Sequence, residues 1–316
     1  MTTPPSPTNP PPPHPLSTAA GLAPSSTIRA HQAQILETGY RTYDGPRTGT
    51  IGAVRSVIRQ GIRSTLGLGR PARHKIIPVA TIVVAFLPAT IFVGLTFLLP
   101  DAVADEVNAD YSGYYGIITV SMILFAGFAT PEALTADRRS GLLSLYLSTP
   151  LTRMSYLAAR LFAVLAVLLI VTAGPLLLLL VGYTFQGLGP DGVVAWFQVL
   201  LRIIASGLLV SAMYTCVAFG VASFTDRRAI ASTVIVMVLL LSGTATSIAV
   251  EGAELSSNLY LLNLIVVPFE AVFRIFGDRP DESTLGTAAV FGACAAWIIA
   301  GAGLAVFRYR RLRLDA

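Results

Sequence analysis

Long apolar stretches alternate with short polar segments along most of this chain. A membrane-spanning helix needs about 20 mainly apolar residues, and six stretches with few or no charges are of roughly that length. They are 76–99, 114–130, 161–183, 203–224, 229–250 and 285–307. The pattern predicts an all-α integral membrane protein with six transmembrane helices.

A seventh apolar stretch, 259–276, is interrupted by Pro268, Glu270 and Arg274. Each charge at the centre of a membrane costs roughly 2.5–3.5 kcal/mol on insertion scales, so this stretch is a poor spanning helix. We expect it to form a short re-entrant or interfacial hairpin within an outer segment, 251–284.

The first 48 residues are polar and proline-rich, with nine prolines between Pro4 and Pro24. They lack the basic and apolar regions of a signal peptide. The composition favours a disordered cytoplasmic tail over a packed core, and a proline-rich docking ligand is the alternative.

The segment 51–68 has the pattern of a helix that lies on a membrane surface. Arg55, Arg59 and Arg63 follow one another at i, i+4 and i+8, beside a broad apolar arc. Such a helix places its apolar face against the acyl chains and its guanidinium groups among the headgroups. A basic linker without helical structure is the alternative.

Composition supports a membrane protein. The 316 residues are 54% hydrophobic and 12% charged, with a mean hydropathy of +0.69, whereas soluble domains carry about 25% charged residues. An ordinary soluble enzyme is therefore excluded. Cys216 and Cys294 both lie in apolar stretches, where we expect buried apolar side chains rather than a disulfide.

The basic residues predict the orientation. If the segment before the first span is cytoplasmic, the inner loops carry sixteen Lys and Arg residues and the outer segments three, while the outer segments collect eleven acids. Lys and Arg concentrate on the cytoplasmic side of membrane proteins. We therefore expect a multi-pass protein with both termini in the cytoplasm.

Several kinds of chemistry have no residues to perform them. Lys75 is the only lysine and lies outside any Gly-Lys-Ser/Thr motif, so the chain has no P-loop for ATP. His14, His31 and His74 all precede the first span. Acids near the spans, such as Glu132, lie at their ends, which leaves ion coupling without a carrier. We expect no enzyme activity, cofactor, metal or nucleic-acid partner, and an external energy source for any transport.

The longest inner loop, 131–160, begins with a helix start signal. Pro131 follows Thr130, an N-cap residue, and Glu132 lies in the first turn. Gly141 and Pro150 then predict a break and a turn. We expect a short helix across the membrane surface that displays Asp137, Arg138 and Arg139 to the cytoplasm.

This loop resembles the signature of type 2 ABC transporter permeases. The signature has an acidic-basic cluster, a Gly, a Leu-rich run, Ser/Thr-Pro-Leu-Ser/Thr-Arg and a basic residue entering the third span. The matching positions are Asp137, Arg138, Arg139, Gly141, Leu142, Leu143, Leu147, Ser148, Thr149, Pro150, Leu151, Thr152, Arg153 and Arg160. The last is usually Lys in the family. The resemblance extends over 49–316 and is greatest to permeases named for multicopper-enzyme maturation, a name that does not carry over as a substrate.

The resemblance implies that the loop contains a coupling helix that docks on a separate ABC ATP-binding subunit, which binds ATP and Mg²⁺. The candidate docking residues are Glu132, Asp137, Arg138, Arg139, Gly141, Pro150 and Arg153. It also implies a second permease chain, identical or related, and an exporter in the plasma membrane. Two alternatives stay open. Arg138 and Arg139 fit a role as topology determinants, and the chain fits a non-transporting membrane scaffold or regulatory membrane subunit.

Overall fold

A computed structural model describes residues 45, 49–69, 75–98, 110–139, 141, 146, 150–278 and 284–311, without the side chain of residue 136. Apart from Gly45, the proline-rich tail 1–48 lies outside these residues, as do the three histidines and, in the signature, Leu142, Leu143, Leu147, Ser148 and Thr149. All of the helices described below belong to the unit Arg47–Ala316.

The described residues form helices joined by turns, without a strand. The α-helices are α1 (Gly49–Thr65), α2 (Ile76–Leu98), α3 (Tyr114–Arg139), α4 (Arg153–Phe185), α5 (Gly192–Ala222), α6 (Arg228–Ser247), α7 (Val266–Phe276) and α8 (Thr287–Arg311). A π-helical turn, Ile248–Gly252, extends α6, and a 3₁₀ helix, Ser257–Leu262, precedes α7.

Among the described residues, six helices are long and apolar enough to cross a membrane: α2, α3, α4, α5, α6 with its π-helical turn, and α8. The all-α fold and the six candidate spanning helices are therefore confirmed for these residues. Several of these helices exceed the charge-free stretches, because α4 has 33 residues and α5 has 31. The chain is a multi-pass membrane protein.

Small and hydroxyl-bearing residues allow α4 and α5 to pack closely. The hydroxyl groups of Thr172 and Ser211 lie 2.9 Å apart, and the Thr172 hydroxyl also reaches the Gly207 carbonyl at 3.2 Å. A Cβ added at Gly207 would lie 2.9 Å from the Cβ of Ala173. Close approach of backbones is a usual way for helices to associate in lipid, and here it joins two helices of the same chain.

Pro131 does not begin a helix, and the prediction of a helix start at Thr130 is wrong. α3 runs without a break from Tyr114 through Pro131 to Arg139. Pro88 and Pro175 likewise lie inside α2 and α4. Spanning helices tolerate proline because neighbouring helices and Ser or Thr side chains can satisfy the freed backbone groups.

The outer segment folds as the 3₁₀ helix, a turn and α7. Asn263 holds the turn, because its amide donates to the Thr246 hydroxyl on α6 at 2.8 Å and its side-chain oxygen accepts from the backbone of Ile265 at 2.9 Å. The two charges of the apolar stretch 259–276, Glu270 and Arg274, form an ion pair one turn apart on α7. The short elements agree with a hairpin, and its depth in the membrane stays a prediction.

The buried side chains of α3, α5 and α8 include both cysteines and two phenylalanine rings. Cys216 and Cys294 are free, buried thiols, as predicted. Phe125 and Phe219 are completely buried among other apolar side chains.

Candidate functional site: a charge cluster at one end of the helices

The sequence-predicted docking residues lie where α3 ends and α4 begins, which we call the loop end. Glu132, Asp137, Arg138 and Arg139 belong to the last turns of α3, and Arg153 is the first residue of α4. Gly141 and Pro150 lie between the two helices and are exposed. The C-terminal ends of α5 and α8 and the start of α6 contribute residues to the same end, as the contacts below show.

A buried ion pair joins the end of α3 to the start of α4. A guanidinium nitrogen of Arg160 contacts Asp137 Oδ2, and the hydroxyl of Tyr156 donates to the same oxygen at 2.6 Å. Arg160 is 2% exposed and Tyr156 is completely buried. Buried charges persist where they are paired and hydrogen-bonded, so this contact fixes the two helices that flank the loop.

Aromatic rings and the backbone of α1 surround the Arg160 guanidinium. Its central carbon lies 5.8 Å from the ring centre of Tyr146 and 5.6 Å from that of Tyr156, within cation–π range. A Cβ added at Gly61 of α1 would lie 3.5 Å from a guanidinium nitrogen. The same Cβ would lie 2.6 Å from the Cβ of Ala163, so glycine at position 61 lets α1 approach α4 beside the buried charge.

Arg138 connects α3 to α5 and α8. It donates to the Ser223 carbonyl at the end of α5 at 2.9 Å and forms an ion pair of 2.7 Å with Asp226 in the following turn. Its guanidinium carbon also lies 5.8 Å from the ring centre of Tyr309 on α8. The Arg138 side chain is only 6% exposed, so it serves as an internal connector of three helices.

A third ion pair joins α3 to α6, between Glu132 and Arg228. The three pairs, Asp137–Arg160, Arg138–Asp226 and Glu132–Arg228, are called the charge cluster below. Each pair has one member on α3, and the partners lie on α4, on α6 and in the turn before α6. The cluster thus links the end of α3 to its neighbours through charged side chains.

The prediction that Asp137, Arg138 and Arg139 are displayed together to solvent is wrong for the first two. Arg139 is exposed, but Asp137 and Arg138 point into the protein. Successive residues of a helix differ by about 100° in direction, so three consecutive side chains cannot share a face. Arg160, the basic residue of the signature that enters the third span, is also buried, because Asp137 supplies its counter-charge.

Sequence reasoning missed Tyr156, Ser223, Asp226 and Tyr309 as members of this site. One signal was available for the central contact. Asp137 and Arg160 carry opposite charges at the two ends of a short loop between apolar helices, where an unpaired charge would be costly. The partners of Arg138 lie far from it in the sequence, at the end of α5, in the following turn and on α8. No local sequence pattern therefore indicated them.

The three arginines of α1 that follow one another at i, i+4 and i+8 are all exposed: Arg55, Arg59 and Arg63. The opposite face of α1 is buried at Val57, Gly61 and Thr65, and part of the predicted membrane-facing surface is therefore covered by protein. Placement of α1 at a membrane surface stays a prediction.

The cluster consists of ion pairs and the hydrogen bonds around them. Among the described residues, His, Cys, Asp and Glu do not gather in groups of three or more that would hold a metal ion.

Six apolar helices in the described part of the chain define its class, a polytopic membrane protein. Residues 24–314 match the model of the ABC-2 family transporter protein, and the chain belongs to that family. Membership supports a role as the permease subunit of an ABC transporter. No curated protein matches the chain. The narrower resemblance to multicopper-enzyme maturation permeases stays a prediction.

Proposed function

We propose that the chain is the permease subunit of an ABC exporter in the plasma membrane, with both termini in the cytoplasm. A separate ATP-binding subunit binds ATP and Mg²⁺ and docks at the loop end. Two permease chains, identical or related, enclose the transport path. Family membership supports the permease role, and the sixteen basic residues assigned to the inner side support the orientation.

The coupling proposal rests on one observation: side-chain contacts tie both ends of the α3–α4 loop to the spanning helices. A soluble motor moves spanning helices only through an element that is firmly joined to them. Asp137 and Arg160 join the last turn of α3 to the first turns of α4, and Arg138 extends the connection to α5 and α8. A push on this loop would therefore be shared by four spanning helices.

The geometry divides five of the seven predicted docking residues into two groups, and the other two, Glu132 and Arg153, are partly buried. Arg139, Gly141 and Pro150 are exposed and are available to touch a partner. Asp137 and Arg138 are buried, so their proposed role is to transmit movement rather than to contact the ATP-binding subunit.

Co-expression with a candidate ATP-binding subunit tests both roles. We expect Arg139→Glu to abolish co-purification, because it reverses an exposed charge of the proposed docking surface. We expect Asp137→Asn to retain co-purification but lose the stimulation of ATP hydrolysis by the permease. Asp191→Lys, an exposed charge reversal in the turn before α5, is the control and should change neither.

The two readouts separate the proposal from its alternative. A non-transporting scaffold predicts co-purification without any stimulation of ATP hydrolysis by the unmodified permease. Unchanged co-purification and stimulation in Arg139→Glu would contradict docking at the loop end.

A further inference from the structure

A lateral groove of about 750 Å³ lies between α2, α3 and α6, next to the charge cluster. Its volume falls in the range of roughly 300–1,000 Å³ typical of small-molecule sites. The walls are mainly apolar, with Leu124 and Phe128 from α3 and Val236 and Met237 from α6. Met237 is 50% exposed, so the groove opens to the surroundings of the helices.

The polar groups of the groove are arranged in order along one face of α6. Arg228 lies at the loop end, Ser232 follows one turn later, and Val236 follows after another turn. Four residues of helix correspond to about 6 Å. A cation, a hydroxyl group and an apolar surface therefore follow one another at intervals of one helical turn.

Two of these groups have unused hydrogen-bonding capacity. The Arg228 side chain is 34% exposed, and its ion pair with Glu132 is made through one terminal nitrogen, which leaves further donors of the guanidinium group. Ser232 is 5% exposed, and its buried hydroxyl has no partner within the described part of the chain. A buried hydroxyl without a partner is costly, and a bound molecule would supply one.

We infer that this groove binds one anionic phospholipid of the surrounding bilayer. The phosphate lies at Arg228, an ester carbonyl accepts a hydrogen bond from Ser232, and the acyl chain lies against Phe128, Val236 and Met237. The order of anion, ester and hydrocarbon in a phospholipid matches the order of cation, hydroxyl and apolar surface on α6. The inference goes beyond the proposed permease role and does not depend on it.

Charge complementarity favours a lipid over a second copy of this chain. A second copy would have to bring an acceptor to the donors of Arg228 that Glu132 does not use, but the described acids near the loop end, Glu132, Asp137 and Asp226, are already in ion pairs. A phospholipid brings its phosphate together with the hydrocarbon that the groove walls require.

Native mass spectrometry of the purified full chain tests the site, with dioleoyl phosphatidylglycerol and dioleoyl phosphatidylcholine as probes. We expect one retained phosphatidylglycerol per chain and weaker retention of phosphatidylcholine. Arg228→Gln should weaken phosphatidylglycerol binding about tenfold or more, the loss expected for one charge-assisted hydrogen bond. Arg227→Gln changes the neighbouring exposed arginine, which does not line the groove, and should bind as the unmodified chain does.

A second variant tests the groove while keeping the ion pair. Thr233 lines the groove and is exposed, so Thr233→Trp fills the space and should remove the retained lipid even if Arg228→Gln fails to fold. Equal retention of the two lipids, or unchanged phosphatidylglycerol binding in either groove variant, would overturn the inference. So would a lipid-free dimer of the unmodified chain that Thr233→Trp dissociates, because a second copy would then cover the groove.

Discussion

Arg160 is a large charged side chain among apolar helices, and its burial depends on Asp137. Tyr156 donates to the same carboxylate oxygen that faces the guanidinium group, and the rings of Tyr146 and Tyr156 lie beside the cation. Removing one member of such a buried pair leaves the other charge without compensation, which is far more costly than the net value of the pair.

Asp137→Asn is therefore expected to lower the free energy of unfolding by about 3–5 kcal/mol. Arg139→Gln changes an exposed neighbour on the same helix and should alter it by less than about 0.5 kcal/mol. Denaturant unfolding of the purified chain in detergent, followed by circular dichroism, measures both.

A double variant distinguishes the cost of an unpaired buried charge from the cost of a changed side-chain shape. Asp137→Leu with Arg160→Met replaces both charges by apolar groups, and stability should recover to near that of the unmodified chain. If Asp137→Asn unfolds like the unmodified chain, the ion pair does not hold α3 and α4 together.

The sequence identified Asp137, Arg138 and Arg139 as important but not the directions of their side chains. Those directions depend on whether α3 continues past Pro131, because the helix then fixes the angle of every later residue. Proline rules drawn from soluble helices predict a new start at this position. At this position α3 is buried among neighbouring helices, an environment in which a spanning helix can continue through a proline.

At the scale of elements, the contact between α5 and α8 depends on two glycines. A Cβ added at Gly220 would lie 2.9 Å from the Gly301 carbonyl oxygen, and one added at Gly301 would lie 2.7 Å from the backbone nitrogen of Val217. Backbone atoms cannot turn aside as flexible side chains can. The two helices would therefore have to separate to admit even a methyl group.

Gly301→Ala should destabilise the chain by about 1–3 kcal/mol, as overpacking does in well-packed cores. Gly303 lies two residues further along α8, and a Cβ there would meet nothing within 4 Å. Gly303→Ala should therefore be neutral or stabilising by up to about 1 kcal/mol through helix propensity. Thermal unfolding of both variants in the same detergent provides the comparison, and equal stabilities would contradict the close contact.

The spans themselves were predictable because apolar runs of sufficient length have few other structural solutions in a protein this poor in charge. Their ends were less predictable. The charge-free stretch 161–183 begins just after Arg160, whereas α4 begins earlier, at Arg153. A charged residue with a buried partner can lie inside a helix and does not have to mark its end. The partner of Arg160 lies on another helix, and charge-free windows cannot reveal it.

At the scale of the whole molecule, the arginines at the loop end fall into two groups. Arg138, Arg160 and Arg228 join helices through ion pairs, whereas Arg139 and Arg227 are exposed at the surface. All five contribute to the bias in Lys and Arg from which the orientation is predicted. The orientation of the chain in the membrane therefore needs a test that does not depend on whether these arginines are paired or exposed.

Cysteine labelling in intact cells provides such a test. Asp191 and Arg227 are both exposed N-cap residues whose side chains make no cap hydrogen bond, and they precede α5 and α6 at opposite ends of α5. A membrane-impermeant maleimide should label Asp191→Cys in intact cells, and should label Arg227→Cys only after the cells are opened, because the loop end is expected to face the cytoplasm. Cys216 and Cys294 are buried, so the unmodified chain should give a low background. Labelling of Arg227→Cys but not Asp191→Cys in intact cells would reverse the orientation and remove the loop end from the reach of a cytoplasmic ATP-binding subunit.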